Sequence, residues 1–289
     1  MTTQTISKKR NGRVSKLLPF LVTVLLGSGF VADAQAGPIF LTGHDPDFHA
    51  QINSDAAVLL GTGLSYATGG TYNVSGHKFL WVESNLAATS GHLIGENGLV
   101  AIGLTEGVNF DHVNAAGFAT ANLANYSAIA IASTFGGMLT QAEIYALIAR
   151  KTEIAAFING GGGLFAASEC GVGFVNCDSS NITDNASLFA YLPVSINPTN
   201  TTSPYSVTAF GAGLGLVNSN VNDPTHNSFS AIGGLNIVDT DAAGIATTLA
   251  GIVHVTDTGF IPVPEPDSLA LTMLGLLAFG SLRRKKKSQ

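Results

Sequence analysis

The chain is 289 residues long, with 13 basic residues against 19 acidic ones and a net charge of −6. Ten of the basic residues form two end clusters, Lys8, Lys9, Arg10, Arg13 and Lys16 at the start and Arg283, Arg284, Lys285, Lys286 and Lys287 at the finish, so residues 37–264 hold three basic residues against sixteen acidic ones, a net charge of −13. Charge of that sign and size repels phosphate backbones and anionic lipid headgroups, which argues against nucleic acid as a partner.

The N-terminal basic stretch runs into an apolar segment at residues 17–26, broken by Gly27-Ser28-Gly29. Ala34-Gln35-Ala36 then supplies the small residues that a signal peptidase requires, so residues 1–36 read as a secretory signal peptide and Gly37 as the new N-terminus. Ten apolar residues fall short of the roughly 20 that span a bilayer. Export places Cys170 and Cys177, the only cysteines, in an oxidising compartment.

Residues 37–262 read as one α/β domain with an open, mostly parallel sheet flanked by helices. Residues 38–42 form a short apolar strand that ends in Gly43-His44, and Asp45-Pro46 opens a helix, with Asp as N-cap and Pro in the first turn. Residues 78–83 (KFLWVE) read as a second strand. Residues 126–133 (YSAIAIAS) are apolar on both alternating faces, as a strand covered by helices on each side must be. Thr140 and Glu143 form a capping box, Leu139 and Ile144 a hydrophobic staple, and Ile144, Leu147, Ile148, Ile154, Ala155 and Ile158 recur at helical spacing. Gly160 to Gly163 end that helix, and residues 164–168 form the next strand. The glycine run is no phosphate loop, because it follows a helix, enters a strand and lacks a following Lys-Ser/Thr. No cofactor is implied. Residues 176–204, rich in Asn, Ser and Thr, read as a surface loop or insertion. Residues 232–239 and 251–256 are candidate strands, with His254 pointing opposite its valine neighbours.

The C-terminal residues 263–289 have three parts: Val263-Pro264-Glu265-Pro266, an apolar run at 269–282, and the basic run 283–287. The prolines keep the first part extended, and the basic cluster holds the far end in the cytoplasm. This arrangement resembles the PEP-CTERM sorting signal, with Pro264, Glu265 and Pro266 as its motif. The resemblance implies recognition by exosortase, a transient anchor in the inner membrane, processing near the motif and delivery to the cell surface or extracellular matrix beside exopolysaccharide.

The run from Tyr126 to Glu169, with its buried strand, Leu-Thr-x-x-Glu helix start and Phe157-Ile158-Asn159-Gly160-Gly161-Gly162-Gly163-Leu164, resembles the class I glutamine amidotransferase-like fold. The opening Leu41-Thr42-Gly43-His44-Asp45 suits the first strand and turn of that group. The resemblance implies Cys170 as nucleophile and His226 as its base, with Asp239 or Glu169 to orient the imidazole. The turn reads Ser168-Glu169-Cys170-Gly171-Val172, without the glycine that the family places two residues before its cysteine. The other reading of Cys170 is a disulfide with Cys177, which export favours and which would abolish a nucleophile.

A second candidate site is the cluster His44, Asp45, Asp47 and His49 at the end of the first strand, the edge where open α/β sheets bind ligands. Two imidazoles and a carboxylate suit a hard or borderline cation. The plainer reading has Asp45 capping the helix, Asp47 meeting its positive end and both histidines solvated. The expectation for the whole chain is an exported surface or matrix protein with a binding or structural role. The alternative is an extracytoplasmic hydrolase that uses Cys170 with His226, or the His44/Asp45 edge.

Overall fold

The computed structural model describes residues 35–86, 94–134, 137–167, 188–222, 227–256 and 259–261. The first half alternates strand and helix: β1 (Pro38–Thr42), α1 (Pro46–His49), α2 (Ser54–Ala67), β2 (Phe79–Val82), α3 (Glu96–Ala101), β3 (Phe110–Val113), α4 (Ala115–Thr120), β4 (Ala128–Ile131), α5 (Gln141–Ala149), α6 (Lys151–Asn159) and β5 (Gly163–Ala167). These strands pair in parallel in the order β3-β2-β4-β5-β1. Every residue of β2, β4 and β5 is buried, so the uninterrupted apolar runs read from the sequence are strands covered on both faces.

Beyond β1 the sheet changes character. The second half contributes β6 (Ile196–Thr199), β7 (Ser206–Val207), α7 (Ala209–Gly213), β8 (Ser228–Ile232), β9 (Asn236–Thr240) and β10 (Ala246–Ile252), and every strand pairing it makes in this sheet is antiparallel. A small separate hairpin joins β11 (His254–Thr256) to β12 (Gly259–Ile261). The sheet is therefore mixed rather than mostly parallel. For β9 and β10 connection length requires this, because the link that holds Gly244, at positive φ, has no room for the crossover of a dozen residues or more that parallel neighbours need. Gly233 and Gly234, both at positive φ, turn the chain between β8 and β9, which both pair with β10.

Two further expectations change. The stretch 232–239 is not one strand but the end of β8, a turn and most of β9. The stretch 176–204 is not wholly loop, because β6 lies within it as the last strand of the sheet, where Pro198 is tolerated because an edge position needs fewer donors.

The capping box is present as read: the Thr140 side chain accepts from the start of α5, and the Thr140 backbone N–H donates to Glu143 Oε2 at 3.1 Å. Leu139 and Ile144 are both buried beside it. The long helical pattern is nonetheless two helices, broken at Arg150, whose φ of −108° and ψ of 16° leave the α region. Arg150 is held there by Glu153 and by the Phe118 carbonyl, with its guanidinium 5.1 Å from the Phe118 ring centre. Helix α2 packs on β1 and β5, and α6 on β5 and β11. Among the described residues no helix is long and apolar enough to cross a membrane; the apolar runs 17–26 and 269–282 lie outside them.

Candidate functional site

The parallel register sets where the polar residues gather. Leu41 pairs with Ala166, Ala166 with Ile131, and Ile131 with Val82. The next residues along each strand therefore reach one common edge, and they are Thr42 to Asp45, Glu83-Ser84 and Ser133-Thr134. Thr42, His44, Asp45, Asp47, Glu83, Ser84, Ser133 and Thr134 are all buried there. A cleft of about 930 Å³ opens at the opposite edge, walled by Pro38, Ser127 and Gly160 to Gly162 at the strand starts.

The four residues expected to act together divide three ways. His44 turns toward the antiparallel half: its Nε2 lies 3.0 Å from Asp239 Oδ2, both side chains have no solvent exposure, and the imidazole stands edge-on to Tyr205 at 5.1 Å. The His44 backbone N–H donates to Thr42 Oγ1 at 3.1 Å, and Thr42 Oγ1 meets Thr248 Oγ1 at 3.0 Å. Asp239, expected as a partner for a different histidine, thus orients His44.

Asp45 occupies the N-cap position of α1, but its carboxylate makes no cap hydrogen bond and faces His49 Nε2 at 3.3 Å. The two residues stand four apart, and that (i, i+4) spacing on one helical turn is what brings the pair together. His49 is 15% exposed and His44 fully buried, so neither histidine is solvated in the way the plainer reading expected.

Asp47 points the other way, toward β4 and α3. The Ser133 N–H donates to Asp47 Oδ2 at 2.8 Å. A Cβ on Gly95 would lie 2.5 Å from that oxygen and one on Gly137 2.7 Å from it, so only glycines can close around the carboxyl. Its other oxygen, Oδ1, is buried and has no hydrogen-bonding partner among the described residues. Burial, with Glu83 and Asp45 nearby as like charges, pushes the Asp47 carboxyl up to about 7, against the pull of the Ser133 N–H.

Glu83 was missed by sequence reasoning, where it counted only as the end of a strand. Four donors converge on its carboxylate: Trp81 Nε1 at 2.8 Å, Gly95 N at 2.6 Å, Glu96 N at 2.9 Å and Met138 N at 2.9 Å. It supplies from outside the cap that Gly95 cannot give α3. Burial pushes its carboxyl up, and the four hydrogen bonds oppose that shift. His112, also missed, bridges the same corner through Nδ1 to Glu96 Oε2 at 2.7 Å and Nε2 to the Glu83 carbonyl at 3.0 Å. A carboxylate directly after a wholly apolar strand was the signal available for Glu83. Asn227 is buried beside Gly43, and neither atom of its amide has a partner among the described residues.

Among the described residues no three His, Cys, Asp or Glu side chains are placed to hold one metal ion. Cys170, Cys177 and His226 lie outside the described residues, as do Pro264, Glu265 and Pro266.

A family model described as the PEP-CTERM protein-sorting motif matches residues 262–285. The motif marks an exosortase-targeted protein that passes through the membrane to the cell exterior. No curated protein and no solved structure matches the chain. Nothing in these comparisons supports the class I glutamine amidotransferase-like resemblance.

Proposed function

We propose that this exosortase-targeted protein works at the cell surface or in the extracellular matrix as a non-catalytic binding protein, and that its site is the polar edge around His44, Asp45, Asp47 and His49. The observation that carries this reading is the set of buried polar atoms there that have no partner among the described residues: Asp47 Oδ1, Asp239 Oδ1 and both amide atoms of Asn227. Each such atom costs about 1–3 kcal/mol while unmet. A ligand rich in hydroxyl groups, which both donate and accept, would satisfy the set on an opening of this edge that admits it. The net charge of −13 over residues 37–264 repels acidic polymers, so the ligand class is a neutral or amino-sugar exopolysaccharide.

The test is calorimetric titration of the mature domain with neutral, cationic and acidic polysaccharides. Binding to the neutral or cationic ones, weakened at least tenfold by Asp45→Asn or Asp47→Asn, is the expected result. Unchanged affinity in both variants would remove the site from this edge.

One observation favours a second reading, an extracytoplasmic hydrolase at the same edge. A carboxyl held near neutrality, as Asp47 is, suits general acid or base work at the pH of the cell exterior. Release of new reducing ends from a bound polysaccharide, abolished by Asp47→Asn, would replace the binding reading with this one.

A further inference from the structure

The first residue of the expected mature chain is held by a particular piece of the fold. The compact unit of the protein begins at Gln35, two residues before Gly37. Among the described residues the chain's first backbone hydrogen bond is the one from the Gly37 N–H to the Ile158 carbonyl, 2.7 Å long. Pro38 follows and has no N–H to offer, so Gly37 is also the last donor before β1 proper. Ile158 lies in the final turn of α6, where carbonyls have no partner within the helix and the helix dipole is negative. Its carbonyl also accepts from Gly161 N at 2.9 Å, so both lone pairs are used. On the other side of Gly37, a Cβ would fall 1.9 Å from the Gly162 carbonyl oxygen and 2.5 Å from its carbon, so no side chain fits. The position is buried.

We infer that the mature protein begins at Gly37 and that the C-terminal turn of α6 and the Gly160-Gly161-Gly162 run form a seat for its free α-ammonium group. Cleavage hydrolyses the Ala36–Gly37 bond. Water adds across it, Ala36 departs as a carboxylate, and Gly37 keeps the nitrogen as an amine that takes up a proton. The same nitrogen that donates as an amide to Ile158 then donates as a cation at the negative end of the helix, an arrangement that strengthens the bond. The glycine requirement and the small-residue cleavage pattern are separate constraints, one set by packing against Gly162 and one by the peptidase, and both fall on the same residue.

The experiment is mass spectrometry of the protein secreted by its host, followed by timed reductive methylation of the native and urea-unfolded forms. The expected N-terminus is Gly37, with its α-amine labelled at least tenfold more slowly in the native form, while Lys151 labels at similar rates in both. Gly37→Ala keeps Ala34-Gln35-Ala36 but cannot enter the seat, so its α-amine should label at the unfolded rate. A mature chain that starts elsewhere, or equal native and unfolded rates at Gly37, would overturn the inference. Should Gly37→Ala fail to fold, the comparison within the wild-type protein decides alone.

Discussion

His44 Nε2 sits 3.0 Å from Asp239 Oδ2 with both side chains sealed from solvent, across 195 positions of sequence. The contact ties the turn after β1 to β9, and so joins the parallel and antiparallel halves of the sheet. Breaking a buried pair by removing one partner strands the other, at about 3–5 kcal/mol. His44→Leu and Asp239→Leu should each lower the unfolding free energy obtained from urea titration by an amount in that range. The double variant should cost less than the sum of the two by more than 1 kcal/mol, since neither partner is then left alone. Additive costs in the cycle would mean that the two side chains are neighbours without coupling.

Asp47 gives the edge a pH dependence whose sign is fixed. Its carboxyl rises from 3.8 to about 7 on folding, so between those values the folded state holds a proton that the unfolded state has released. The contribution is fully present below pH 3.8 and is lost as pH rises through 7. The full shift corresponds to a ceiling on the order of 4 kcal/mol. Asp47→Asn keeps an oxygen for the Ser133 N–H and removes the titration. The variant should melt higher than wild type at pH 8, and the gap should close by pH 4. Parallel melting curves from pH 4 to 8 would contradict the assignment.

Glu83 is the more structural of the two buried acids. Glu83→Ala would leave Trp81 Nε1 and the backbone N–H groups of Gly95, Glu96 and Met138 without their acceptor. At about 1–3 kcal/mol for each unmet group, the loss is of order 4 kcal/mol or more, most of a typical domain's stability. Glu83→Gln retains one oxygen for two of the four donors and should cost about half as much. Urea unfolding of both variants checks the order; a Glu83→Ala protein within 1 kcal/mol of wild type would mean that water replaces the carboxylate.

How much of this was legible differs from element to element. β2, β4 and β5 could be read because a strand buried on both faces is apolar at every position, as in Phe79-Leu80-Trp81-Val82, and β1 because only its last residue, Thr42, is polar. β3 could not: Asp111 and His112 interrupt it, because it is the sheet's edge strand and three of its four residues are only partly buried. The second half was obscured by short strands whose turns are set by glycines rather than by apolar period. At the site, Asp45 with His49 was readable because helical spacing alone makes the pair. His44 with Asp239 was not, since nothing local in either segment specifies the other. Asp239 was noticed as an orienting carboxylate, but which histidine it orients is decided by the pairing of β9 with β10 and β10 with β1.

The two cysteines give a prediction that depends on the compartment. A protein carrying the sorting motif at 262–285 leaves the cytoplasm, and two thiols closing a short loop in an oxidising compartment pair readily. Native protein secreted by its host should therefore show no thiol that reacts with maleimide, and should gain reactivity at both Cys170 and Cys177 after reduction. A reactive Cys170 in the unreduced protein would restore the thiol hydrolase with His226.

Sorting itself is testable at the other end. In the sequence Pro264-Glu265-Pro266 precedes an apolar run closed by Arg283 to Lys287, an order expected to bring exosortase to the motif while the basic end holds the chain in the inner membrane. Mature surface protein should therefore lack the peptide that contains Arg283 to Lys287. Glu265→Ala should shift the protein from the culture surface to the membrane fraction at full length, by several-fold on a quantitative blot, because the anchor persists when the motif is no longer read. Replacing Arg283 to Lys287 with neutral residues attacks a different step. Without a cytoplasmic stop the apolar run has nothing to retain it, and the chain should be released with its C-terminus intact. The two variants thus fail in opposite directions, one held back and one let go unprocessed. Equal surface yield of correctly trimmed protein from both would show that processing needs neither Glu265 nor the basic run.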